Sequence, residues 1–279
     1  QLPTYRLLNR PFMPTAAVNG IDLYYEDSDP PGRNGGPVAI FLHGAGGNTV
    51  CWWQQVPAFR SILRCVTYDI RGYGRSPNPT GDSMAFLIAD LEALVQHLGL
   101  QRVVLIAQSM GGRAALGFAT RHQDRILALV MADSWGSFDW PEQWDRAKMF
   151  AIPEGHPRAV ARNFPQEWPE LYYLLRSIGS LNPPRPQLEG LTPGGPTVKE
   201  VQRLQLPVLC IVGADDVIFP PSQIRAFAEL LPDSEFVEVD GAGHSVYFER
   251  ANAFNELVLR FLKKHIAELS SQTERTAAQ

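Results

Sequence analysis

The sequence predicts an α/β domain organised around a mostly parallel, doubly wound sheet. Short, β-branched apolar runs alternate with longer amphipathic runs through most of the chain. Those short runs lack polar alternation, as strands covered on both faces do. With 279 residues, 45% of them hydrophobic and 19% charged, the chain is long enough to bury one large core.

Taken in order, residues 14–27 read as a β-hairpin with Asn19-Gly20 as its two-residue turn. Buried strands are predicted at 37–42 (PVAIFL), 63–68 (LRCVTY), 102–107 (RVVLIA), 126–131 (ILALVM) and 207–212 (PVLCIV), and a more alternating one at 235–239 (EFVEV). Between them, residues 82–98 put Met84, Leu87, Ile88, Leu91, Leu94, Val95 and Leu98 at steps of three and four, which makes one apolar helical face. Asp82 or Ser83 suits the N-cap and Gly99 the stop. Residues 109–121, 221–231 and 245–266 are also helix-like. Repeated strand–helix–strand units imply right-handed crossovers, and ligand sites beyond the carboxyl ends of the strands. The rhythm breaks at 135–205, a Pro-rich stretch holding Trp135, Trp140, Trp144 and Trp168, four of the six tryptophans. It reads as an insertion of short helices and loops between core segments 1–134 and 206–279. The polar tail after Ser270 is expected to fray.

A formal net charge of −4 argues against nucleic acid or an anionic membrane as partner. No stretch has the roughly 20 apolar residues that span a bilayer. Three cysteines, Cys51, Cys65 and Cys210, without CxxC spacing, read as buried thiols in a cytoplasmic protein. No His/Asp/Glu grouping has metal-ligand spacing. No G-x-G-x-x-G follows a strand, and no P-loop Lys-Ser/Thr follows Gly44-Ala45-Gly46-Gly47. No metal or cofactor is therefore expected, and the partner is a small-molecule substrate.

The chemistry centres on Ala107-Gln108-Ser109-Met110-Gly111-Gly112, which follows a buried strand and opens a helix. A serine there stands on a sharp turn with its hydroxyl above the sheet, and small neighbours let strand and helix backbones approach. Ala107 replaces the glycine usual at the first position of G-x-S-x-G. Taken alone, the run is a poor signal and reads more readily as a serine that caps a helix.

Four further motifs come in order, each at a strand end. They are His43-Gly44-Ala45-Gly46-Gly47; the run Asp69-Ile70-Arg71-Gly72-Tyr73-Gly74-Arg75-Ser76; the run Gly213 to Pro220 (GADDVIFP); and Gly241-Ala242-Gly243-His244. With these the sequence resembles the α/β-hydrolase superfamily over most of residues 15–266. The resemblance implies an α/β-hydrolase fold: a mostly parallel, doubly wound, eight-stranded sheet with an N-terminal hairpin and a helical cap insertion. It also implies Ser109 as nucleophile and His244 as base, with Asp216 as the acid that orients the base. Some relatives carry the acid where Asp133 stands, so Asp133 is the alternative. Met110 N–H and Ala45 N–H, with Gly46 as an alternative to Ala45, are the implied oxyanion donors. His43 is expected to shape its loop, and Arg71 and Arg75 to brace theirs.

A serine hydroxyl needs a base within about 2.6–3.2 Å, and the base needs a carboxylate to fix its tautomer. Substrate contacts are expected from Gly46 and from the aromatic residues of the insertion, Trp135, Trp140, Trp144 and Trp168; packing of the cap is the competing reading for these side chains. Arg113 is a basic candidate for a carboxylate-bearing substrate or, alternatively, a solvated or paired side chain. The expected activity is hydrolysis of a small to medium, apolar or aromatic ester, lactone or thioester through an acyl-enzyme. Two alternatives stand beside it. One is a C–C bond hydrolase of ring-cleavage dienol-keto acids, suggested by the Ser-Met-Gly-Gly run. The other is a non-catalytic member that binds a small ligand.

Overall fold

The computed structural model describes residues 14–28, 36–140, 152–184 and 192–267. Its eight strands are β1 (Thr15–Val18), β2 (Ile21–Asp27), β3 (Val38–Leu42), β4 (Arg64–Tyr68), β5 (Val103–Gln108), β6 (Ile126–Ala132), β7 (Val208–Gly213) and β8 (Ser234–Val239). They form one sheet in the order β1-β2-β4-β3-β5-β6-β7-β8. The β1–β2 and β2–β4 pairings are antiparallel and the others parallel. The hairpin turns at Asn19 and Gly20 with φ of 42° and 79°, the left-handed pair that a type I′ turn demands.

The unalternating strands are buried because the sheet is covered twice. On β5, Val103, Leu105 and Ala107 join a cluster with Leu91 and Phe118, while Val104 and Ile106 join a second cluster with Phe41, Trp52 and Phe254. Successive side chains point to opposite faces, so each face receives every other residue. The first cluster is closed by helices α1 (Ser83–His97), α2 (Gly111–Arg121) and α4 (Pro221–Leu230), the second by α5 (Ala251–His265). Within the stretch 135–205, α3 (Pro169–Ser180) and the one-turn helices Phe164–Glu167 and Val198–Val201 are described.

Two local expectations change. Asp82 occupies the N-cap of α1 but makes no capping hydrogen bond; it accepts from Thr80 instead. The continuous helix expected at 245–266 is two helices, Val246–Glu249 and α5, because Arg250 leaves helical geometry at φ −128°, ψ 52°. All three cysteines are buried free thiols, and burial pushes Cys51 and Cys65 up to about 12. The tail after Ser270 lies outside the described residues.

Candidate active site

Three strand ends on one side of the sheet converge. Ser109 follows β5, and its amide donates to Ala132 O at 3.0 Å. Its φ of 49° is in the left-handed region, costly for a side chain with a Cβ and a mark of functional turns. The turn is possible because α2 starts directly against β3: a Cβ on Gly111 would collide with the Leu42 carbonyl. The turn tolerates Ala107, which is fully buried in the sheet. Ser134 Oγ–H donates to Ser109 O at 2.7 Å and braces the bend from β6.

His244 Nε2 lies 2.8 Å from Ser109 Oγ, and its Nδ1 lies 2.9 Å from Asp216 Oδ2. The partners assign the tautomer: Nδ1–H donates to the carboxylate, and Nε2 accepts from the serine hydroxyl. Asp216 lies on the turn after β7, and its other oxygen accepts from Ile218 N–H at 2.8 Å and Phe219 N–H at 3.0 Å. Those bonds fix the carboxylate and satisfy an anion with 3% exposure.

Asp133, the alternative acid, points elsewhere. It is fully buried, and its oxygens accept from Gly213 N–H at 3.0 Å and Val246 N–H at 3.1 Å, tying the ends of β6 and β7 to the histidine loop. Burial first, then the charge of Asp216, pushes its carboxyl well above the usual range.

The loop after β3 passes beside Ser109. A Cβ on Gly44 would meet Gln108 Oε1, so the glycine lets this loop pass close to the Gln108 side chain. His43 is fully buried: Nδ1–H donates to Gly44 O at 2.8 Å, and Nε2 accepts from Ile70 N–H at 2.9 Å. Both ring nitrogens are engaged, so His43 shapes this loop. Asp69 anchors the same region, accepting from Thr49 N–H at 2.6 Å and Arg75 N–H at 2.7 Å. Arg71 forms a buried pair with Asp90 at 2.8 Å.

A cavity of about 550 Å³ opens over these groups. Ser109, His244, Met110, Ala45 and Gly46 all line it. Met110 occupies the N-cap position of α2, where backbone N–H groups lack intrahelical partners. The tryptophans are another matter. Trp135 is buried against Phe138 and Phe219, ring centroids 5.4 and 6.1 Å away, and Trp140 stacks on Phe138 at 5.3 Å. Trp168 is 47% exposed at the start of α3. None of the three lines the cavity, so packing accounts for Trp135 and Trp140; Trp144 lies outside the described residues. Tyr172, Phe219 and Tyr247 supply the aromatic walls instead.

Three supporting groups carried no motif signal. Gln108 Nε2–H donates to His244 O at 2.7 Å. Glu249 Oε1 accepts from Gly243 N–H at 2.9 Å and Ser245 N–H at 3.2 Å, on either side of His244. Its Oε2 accepts from Ala161 N–H at 2.7 Å. Asn182 Nδ2 donates to Gly46 O at 3.3 Å and Gly47 O at 3.2 Å, which pins the end of α3 to the glycine loop. Among the described residues, no cluster of three His, Cys, Asp or Glu side chains could hold a metal. No helix among them is long and apolar enough to cross a membrane.

A model of the alpha/beta hydrolase fold matches residues 37–162 and 159–251. The chain belongs to the alpha/beta hydrolase fold family. Among alpha/beta hydrolases of known structure, a thermophilic esterase from Thermogutta terrifontis, solved with malate bound, is 29% identical with a TM-score of 0.73, over 91% of this chain and 98% of its own. The enol-lactonase from Burkholderia xenovorans LB400 is 26% identical with a TM-score of 0.73, over 90% of this chain and all (100%) of its own. A putative non-heme bromoperoxidase, BpoC, from Mycobacterium tuberculosis is 29% identical over 264 residues, which cover 86% of this chain and 97% of BpoC.

Proposed function

We propose that this alpha/beta hydrolase cleaves a small to medium ester, lactone or thioester through an acyl-enzyme formed on Ser109. The observation that carries the reading is the unbroken relay from Ser109 Oγ through His244 to Asp216, at 2.8 and 2.9 Å, in the wall of the cavity. The likeness to an esterase and an enol-lactonase supports it.

Ser109 Oγ attacks the carbonyl carbon as His244 Nε2 takes its proton. Asp216 orients the ring and stabilises the imidazolium. Negative charge gathers on the carbonyl oxygen, beside Met110 N–H and Ala45 N–H, and each such donor contributes up to about 4 kcal/mol. Collapse expels the alcohol, lactone alkoxide or thiol, which takes the proton from His244. A water then attacks the acyl-enzyme with His244 as base, and release of the acid restores Ser109. The cavity volume of about 550 Å³ suits a ligand of this size.

A panel of nitrophenyl esters, lactones, thioesters and dienol-keto acids tests the proposal. Turnover of at least one ester, lactone or thioester, lost in Ser109→Ala and His244→Ala, is expected. Turnover of the dienol-keto acid alone would shift the reading to C–C bond hydrolysis.

A further inference from the structure

The cavity wall carries a charge that ester chemistry does not require. Arg113, Arg158 and Arg176 line it, from two helices and one loop segment, and no Asp or Glu appears among its described lining residues. The chain as a whole has a formal net charge of −4, so this basic character is local. Grouped charges of one sign in a cleft focus field lines and raise the local concentration of a ligand of opposite charge.

The two cap arginines stand on braced backbone. On α3, Tyr172, Leu175, Arg176 and Gly179 fall at steps of three, one and three and share one face, which lines the cavity. The end of α3 is held to the glycine loop by Asn182, and Asn48 Nδ2–H donates to Ile178 O at 3.1 Å. Arg158 sits on a segment fastened to the turn of Asp216 and to the histidine loop. There His156 Nε2 meets Asp215 Oδ2 at 3.2 Å, Arg162 N–H donates to the same oxygen at 2.7 Å, and Ala161 N–H donates to Glu249. Among the described residues, neither Arg158 nor Arg176 has an ion-pair partner. Both are exposed, whereas Ser109 is half-buried. Arg113 lies on α2, one helical turn beyond Ser109.

We infer that the substrate carries a carboxylate remote from the scissile carbonyl, received at the exposed part of the cavity wall by Arg158 and Arg176. This rests on the hydrolase reading above and narrows its substrate class to half-esters, or lactones with a pendant acid. The planar guanidinium fork matches a carboxylate in two hydrogen bonds, and the apolar wall formed by Leu175, Ile218 and Phe219 suits the methylene spacer between the two functional groups.

The experiment compares nitrophenyl half-esters of succinate, glutarate and adipate with the same compounds ending in a neutral carboxamide. Wild type is expected to favour at least one charged compound by at least about tenfold in kcat/KM, the scale of one charge-assisted hydrogen bond. The charged-to-neutral ratio should fall at least about tenfold in Arg158→Gln or Arg176→Gln. It should stay as in wild type in Arg260→Gln, a change on the exposed side of α5. A wild-type ratio near unity with neutral esters turned over overturns the inference and leaves the hydrolase reading standing. If no ester is cleaved and Ser109 takes no fluorophosphonate label, the hydrolase reading fails; calorimetry of adipate with Ser109→Ala then judges the anion site. Binding that Arg176→Gln weakens at least about tenfold supports the site, and absence of binding overturns it.

Discussion

Removing the charge of Glu249 tests how the histidine loop and the cap are joined. Glu249 is 6% exposed, and burial pushes its carboxyl from its ordinary 4.5 up to about 7, against the opposing pull of its three backbone donors and Arg250. The folded state therefore holds this proton across a pH range in which the unfolded chain has released it. The associated stability is fully present below about 4.5 and is lost as pH rises to about 7. That interval is about 2.5 pH units at about 1.4 kcal/mol each, so about 3 kcal/mol is at stake. Glu249→Gln keeps an acceptor for Gly243 and Ser245 but turns an NH2 toward Ala161 N–H, a pH-independent cost of about 1–3 kcal/mol. Urea denaturation of both proteins from about pH 4 to about pH 8, which spans this window, reads the difference. Asp133, shifted in the same direction, is present in both, and Glu249 is the smallest cause of its shift, so most of its contribution cancels. Wild type should lose about 3 kcal/mol relative to Glu249→Gln as pH rises through the window. Parallel curves, or a wild type that gains on the variant, would mean that the three N–H donors outweigh desolvation and would refute the reasoning.

Further expectations concern the core of the site. Asp216→Asn should lower kcat by about 10³–10⁴, because an amide no longer enforces the His244 tautomer. Asp133→Asn, with no contact to the imidazole, should lower it by less than about tenfold; steady-state kinetics of the pair separate them. Gly111→Ala should cost about 1–3 kcal/mol, seen as a lower urea midpoint, because its Cβ meets the Leu42 carbonyl in a turn that cannot widen. Asn182→Ala should raise KM more than it lowers kcat, since it frees the end of α3 from Gly46 and Gly47 without touching Ser109.

Most of the sheet was legible because a strand buried on both faces leaves an unbroken apolar run, as at Val38–Leu42 and Val103–Gln108. Ser109, Asp216 and His244 were legible because each sits on a short turn at a strand end, where backbone geometry restricts the neighbouring residues. What stayed hidden depends on contacts distant in sequence. Glu249 sits in a helical pattern, and nothing in that pattern marks a carboxylate that reaches back to residues 243 and 245 and across to 161. The same is true of Gln108 and Asn182. The tryptophans misled because bulk and aromaticity suit a core as well as a ligand wall, and for Trp135 the Phe138–Phe219 neighbourhood decides.

Intact-protein mass spectrometry after reaction with a fluorophosphonate, with the adduct mapped to a peptide, probes the Ser109–His244 relay most directly. One adduct on Ser109 is the predicted result, absent from Ser109→Ala and formed far more slowly in His244→Ala. Labelling at another residue, or equal labelling rates with and without the imidazole, would contradict it.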